Sequence, residues 1–180
     1  MAAGSCPAAV PLVYGIGKTG PLNVGVLVVG PESSQLASLC TAIEKESTFP
    51  SITVMRSPQL PLSATGRARQ FHYDVVVLAA DATDCRSLDA LRRSMSCLDV
   101  HYRCGRSCVT VIGADVGPAS GTSALDLSRE IGFQDIPVLY GSCKDGTSAN
   151  YLANKILRMV SLALGKSGLS GWLSPSPFLL

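Results

Sequence analysis

Long apolar runs are missing from this sequence. No stretch comes near the roughly 18 residues that a membrane-spanning helix needs. The opening MAAGSCPAAV carries none of the basic residues that start a signal peptide. These two absences lead us to expect an intracellular soluble protein. An excess of charge of one sign is also lacking: 15 Lys and Arg against 13 Asp and Glu leave a net +2. A broad phosphate-tracking face is therefore not implied, and nucleic acid is disfavoured as a primary ligand. The seven cysteines form no CxxC pair, and an odd number without that spacing suits a reducing compartment, where thiols act as small core hydrophobes. Cys97, His101, Cys104 and Cys108 are the only grouping that suggests zinc, but their spacings follow no standard pairing. Cys97 continues an apolar helical stripe and Cys108 opens a strand-like run, so we expect no metal site. The lone histidines, His72 and His101, have no serine or cysteine beside them in a local catalytic pattern.

What is present is alternation. With 180 residues and 47% apolar content, the chain fits one domain with a sizeable core. Val24 to Val29 is a continuous apolar run, as expected of a strand buried on both faces, and it stops at Gly30-Pro31. Ser33 or Ser34 can cap a helix that carries Leu36, Leu39, Cys40 and Ile43 on one side. A second strand is expected at 51–56, an irregular connection at 57–70, and a central strand at 74–81. Leu88, Leu91, Met95 and Leu98 then recur at helical spacing. Strands follow at 109–113 and 136–140, with helices at 123–131 and 148–164. Such an order predicts a mostly parallel sheet covered by helices on both faces, with ligand crevices at the carboxyl ends of the strands.

Residues 15–20, GIGKTG, end like a phosphate-binding loop, GxxxxGK(S/T), in which backbone amides cradle phosphates, the lysine meets the β/γ-phosphates and the hydroxyl ligates magnesium. The required glycine five residues earlier is Leu12, and the trio precedes the first strand instead of following it. Gly20-Pro21 would also end any helix begun there. The proper place for such a loop is Gly30 to Ala37. Gly30 matches the first glycine, but the second glycine is Gln35, the lysine is Leu36 and the hydroxyl residue is Ala37. Pro31 removes a backbone donor, and Glu32 brings a carboxylate to a helix start that would otherwise attract phosphate.

The pattern resembles a small Ras-like GTPase stripped of its chemistry. Where the guanine-reading NKxD of those enzymes would fall, the chain has Ala114-Asp115-Val116-Gly117, and Ser142-Cys143-Lys144 is similar to the SAK element. No DxxG is found, since the connection beginning at Ser57 replaces a strand and both switch regions. More specifically, the chain resembles the centromere protein M family, inactive GTPase-like subunits of the inner kinetochore. That resemblance covers roughly Leu22 to Leu173 and rests on Leu27 to Gly30 opening into a helix without GK(S/T), the short connection Ser57 to Ser63, the run Asp74 to Leu78, Ser87-Leu88 leading to Leu91-Arg92, Pro137 to Tyr140, and Gly168 to Trp172. The tail Ser174 to Leu180 departs from the pattern.

The resemblance implies an α/β, three-layer α-β-α fold of the Ras-like class, with a segment 1–21, a domain 22–166 and a tail 167–180. It further implies a non-catalytic scaffold of the nucleus and kinetochore that stabilises the helical-repeat subunit centromere protein I and assembles with proteins H and K, with no nucleotide, metal, membrane or direct nucleic-acid ligand. Leu169, Trp172, Leu173, Arg92 and Arg93 are candidate partner-binding residues, because tryptophan and arginine are enriched among interface anchors. Trp172 as a lid on the core and Arg92-Arg93 as a solvated helix face are the plainer readings of the same residues. Three other classes stay open. An active GTPase would need a lysine and a hydroxyl after the first strand. A Rossmann oxidoreductase would need GxGxxG there and an acid where Arg56 stands. The third is a GTPase-like adaptor of another intracellular complex.

Overall fold

The computed structural model describes residues 23–62, 72–113 and 136–165. Five strands, β1 (Asn23–Val29), β2 (Ser51–Ser57), β3 (Val75–Asp81), β4 (Ser107–Ile112) and β5 (Val138–Gly141), form one sheet in the order β2-β1-β3-β4-β5. Every neighbouring pair is parallel, with Val26 beside both Val54 and Val75, and Leu78 beside Val109. The helices among the described residues are α1 (Ser34–Glu46), α2 (Cys85–Ser96), the single turn α3 (Val100–Arg103) and α4 (Gly146–Ala163).

Parallel strands explain the apolar runs. Because successive side chains point to opposite faces, Val24, Val26 and Val28 of β1 pack under α1 and α4, whereas Leu27 and Val29 face α2. The first face joins Leu36, Leu39 and Ile43 of α1 to Leu152, Ile156 and Val160 of α4. On the second face, Leu88, Leu91 and Met95 of α2 meet Val76, Leu78 and Val109. Each fully buried leucine or isoleucine contributes about 1.5–3 kcal/mol from burial. Helices α1 and α4 on one face and α2 on the other make the three-layer arrangement expected of a Ras-like fold, and the strands between them all run one way.

Local chemistry sets the ends of the elements. Ser33 caps α1 by accepting from the Leu36 amide at 3.1 Å, Asp84 caps α2 from the Arg86 amide at 3.0 Å, and Asp145 caps α4 from the Ser148 amide at 2.8 Å. The expected boundaries hold to within two residues. Strand β5 begins at Val138 instead of Ile136, for Pro137 has no N–H to give a neighbouring strand, although its carbonyl accepts from Val109 at 2.9 Å. Helix α3 leaves no mark in the periodicity, since four residues are too few to show a period. It is started by Asp99, whose side chain accepts from the His101 amide, and tied to α2 by Arg103, which donates to the Met95 and Leu98 carbonyls. The helix expected at 123–131 lies outside the described residues. No helix among the described residues is long and apolar enough to cross a membrane.

Candidate functional site

In a sheet of this order the chain leaves β1 toward one edge and later leaves β3 toward the other. The two connections part there and open a crevice above the strand ends, the usual ligand position in open parallel sheets. Gly30, the start of α1, the β3 end at Asp81, Gly113 and the loop Ser142–Lys144 surround that position.

Gly30 is a glycine for a reason unrelated to phosphate. A Cβ there would stand 2.7 Å from the Ala79 carbonyl oxygen and 3.1 Å from the Ala79 Cβ, so the β1 end lies too close to β3 for a side chain. Its amide is already used, donating to the Ser57 carbonyl at 2.9 Å. Beyond it, Ser33 occupies two early amides of α1: its hydroxyl takes that of Leu36 and its carbonyl that of Ala37 at 3.1 Å. Gln35 then reaches across the crevice, and its Oε1 accepts from the Cys143 amide at 3.4 Å, joining residues 108 apart in sequence. Glu32 is exposed and precedes the cap, so the side chain spanning the crevice is Gln35 and not the acid. Leu36 is 3% exposed and packs into the core beneath α1, and Ala37 is half-buried.

The acids at the other side are spent on local structure. Asp81 accepts from the Thr83 amide at 2.9 Å and the Thr83 hydroxyl at 2.6 Å, and its own amide donates to the buried Ser87 hydroxyl at 2.8 Å. Together with the Asp84 cap, this starts α2. Gly113 adopts a left-handed φ of +80°, and a Cβ on it would lie 3.4 Å from Asp81 Oδ1. Asp145, held below the usual carboxylate range first by the Ser148 amide, caps α4.

These groups do not fit a magnesium–nucleoside triphosphate. The positions that would supply the ammonium and the metal-binding hydroxyl are an inward-facing leucine and an alanine. The available thiols are no better suited to nucleophilic chemistry: burial pushes Cys40 and Cys143 up to about 11 and Cys108 up to about 12. Cys97 is half-buried and Cys104 exposed, and no group of three or more His, Cys, Asp or Glu that could hold a metal occurs among the described residues.

Arg92 and Arg93 are exposed on α2 and turn back to their own helix. Arg92 Nη1 pairs with Asp89 at 2.9 Å and Arg93 Nε donates to the Asp89 carbonyl at 3.3 Å. Leu169, Trp172 and Leu173 lie outside the described residues, as do Asp115, Gly117 and the GIGKTG segment. His101 is exposed at the start of α3. His72 Nε2 is 3.3 Å from Asp74 Oδ1, and Asp74 Oδ2 accepts from the Gly25 amide at 2.9 Å, a clasp at the opposite end of the sheet from the crevice. The Gln35 bridge and the Asp74 clasp escape sequence reasoning because each joins segments distant in the chain.

None of the curated proteins matches the chain at a significant level. A family model described as Centromere protein M (CENP-M) matches residues 13–174. The match takes in all five strands and all four helices of the described residues, and the chain therefore belongs to the centromere protein M family.

Proposed function

We propose that this chain is a non-catalytic pseudo-GTPase scaffold of the inner kinetochore, acting in the nucleus at the centromere to stabilise centromere protein I and to assemble with proteins H and K. Membership of the family supports the centromeric setting. The observation that carries the non-catalytic part is Gln35. A phosphate loop has a glycine there so that backbone can wrap an anion; this chain has a side chain that crosses the crevice and binds the loop after β5. Leu36 beside it turns inward to the core, so the cation is replaced by packing. The domain keeps the shape of a nucleotide-binding fold and uses its centre to hold itself together.

The partner contacts fall to Leu169, Trp172 and Leu173, with Arg92 and Arg93 as a second candidate patch. A tryptophan followed by leucine is a suitable anchor for a helical-repeat groove, because large aromatics bury much area with little loss of side-chain freedom. Two measurements test the reading. A ligand at 100 times its dissociation constant raises stability by about 2.7 kcal/mol, so thermal unfolding with millimolar GTP and magnesium should show no upward shift; a clear rise would end the pseudo-GTPase proposal. Co-purification with a centromere protein I fragment should be lost in Trp172→Ala at unchanged melting temperature. A large fall in melting temperature would instead make Trp172 a lid on the core.

A further inference from the structure

Helix α4 closes one face of the sheet with Ala149, Leu152, Ala153, Ile156 and Val160, yet its outer side is not plain polar surface. Among the described residues three large apolar side chains are exposed, and two of them lie on this helix: Tyr151 at 63% and Leu162 at 62%. With 3.6 residues per turn, positions eleven apart are about three turns and ~20° from alignment, so the pair stands on one line of the helix, roughly 16 Å apart. Lys155 and Arg158 fall between them, within about 40° of that line. The Lys155 ammonium lies 4.4 Å from the centre of the Tyr151 ring, which holds the cation along the stripe. Helix α4 contains no Asp or Glu, so the stripe runs apolar, cation, cation, apolar with no compensating charge on its own helix.

We propose that this stripe docks an acidic amphipathic helix of a partner polypeptide. Two carboxylates one turn apart would meet Lys155 and Arg158, and apolar residues on either side of them would cover Tyr151 and Leu162. The charge pattern selects that occupant. A second copy of this chain is disfavoured, since twofold pairing of the stripe sets its central cations against each other. Nucleic acid is disfavoured too, because two cations flanked by a leucine and a tyrosine track few phosphates. Tyrosine and arginine are the side chains that most often anchor such contacts. The inference rests on the scaffold reading and adds to it a surface on the described domain, distinct from the tail.

The test uses the full chain and three designed 18-residue helical peptides that share leucines at helical spacing and carry Glu, Gln or Lys between them. In amide chemical-shift titrations the Glu peptide should perturb Tyr151, Lys155, Arg158 and Leu162, and the Gln peptide should bind about tenfold more weakly at low salt. Lys155→Glu with Arg158→Glu should reverse the preference toward the Lys peptide. Tyr151→Ala with Leu162→Ala should weaken binding of every peptide, and both variants change only outward-facing positions of α4, so melting temperature serves as the folding control. Equal shifts with all three peptides, shifts confined to other elements, or tighter binding to duplex DNA would overturn the proposal. Co-purification with the helical-repeat partner separates the two readings. If wild type and charge-reversed protein both retain it, the scaffold stands and α4 is not its docking surface. If wild type itself fails to bind, the scaffold reading falls and the peptide titration alone decides α4.

Discussion

Restoring the phosphate-loop consensus should break this protein instead of reviving it. The triple change Gln35→Gly, Leu36→Lys and Ala37→Thr writes GPESSGKT across residues 30–37. Leu36 is 3% exposed in the core under α1, so losing its burial costs about 2–3 kcal/mol, with a further 1–2 kcal/mol, roughly, for drawing a lysine stem out past its neighbours. Removing the Gln35 side chain would cost up to about 1 kcal/mol in helix propensity, because glycine replaces it, and the lost bond to the Cys143 amide about 1 kcal/mol more. The change at Ala37 adds about 0.5 kcal/mol, since a β-branched residue suits a helix less well than alanine. The total of roughly 6 kcal/mol is comparable to the whole stability of a typical domain, about 5–15 kcal/mol. Urea unfolding followed by circular dichroism is the assay; with a slope of about 2–3 kcal/mol per molar, the midpoint should fall by about 2–3 M. A repaired chain that keeps its midpoint and melts higher with GTP and magnesium would refute the reasoning.

Two further outcomes follow from the sheet and its lower edge. Gly25→Ala should cost about 3 kcal/mol or more by thermal or urea unfolding, because its Cβ would run into the His72 carbonyl, with His72 C and Tyr73 Cα at 3.1 and 3.2 Å, and would strain the Asp74 clasp; a loss below about 0.5 kcal/mol would show that the strands separate freely there. Stability should fall as pH rises above about 10, since burial pushes Tyr73 and Tyr102 up to about 12 and the unfolded chain, with tyrosines near 10, sheds its protons first. Below about pH 10 both are protonated in either state and contribute no pH dependence. The buried Cys40, Cys108 and Cys143 act in the same direction from about pH 9, so the discriminating comparison is Tyr102→Phe. That variant should lose about 1–3 kcal/mol at neutral pH, from the 2.8 Å bond to the Tyr73 carbonyl, and show a shallower alkaline decline. Identical slopes in both proteins would remove Tyr102 from the account.

The strands are the most legible part of the sequence, because a parallel sheet buries both faces and writes unbroken runs such as Val24 to Val29 and Val75 to Ala80. The capping residue Ser33 is readable for a similar reason: its chemistry is local, within three residues. The crevice is legible only as a set of missing groups. Leu36 and Ala37 announce that phosphate chemistry lacks its parts, but nothing local in Gln35 says that it will meet Cys143, and nothing in Gly30 tells a phosphate cradle from a strand pressed against Ala79. Periodicity likewise identifies the inner face of α4 and passes over the outer one, since Tyr151 and Leu162 stand eleven residues apart and read as scattered surface.

The packing of α1 against α4 has a consequence for how the chain is made. Strands β1, β2 and β3 with helix α1 are complete once Asp81 has left the ribosome, and β1 can pair with both neighbours at that point. The apolar side of α1 and the β1 face below it, however, share a core with Leu152, Ile156 and Val160 of α4, which is the last of the described elements to be synthesised. At translation rates of about 5–20 residues per second, the interval between Asp81 and Ala163 is roughly 4–16 s. During those seconds the growing polypeptide shows Leu39, Ile43 and the β1 valines without their final cover. A ribosome stalled before Gly146 would display a sticky half-built sheet, and nascent-chain chaperones should crosslink to Leu39 and Ile43 until α4 arrives and releases them.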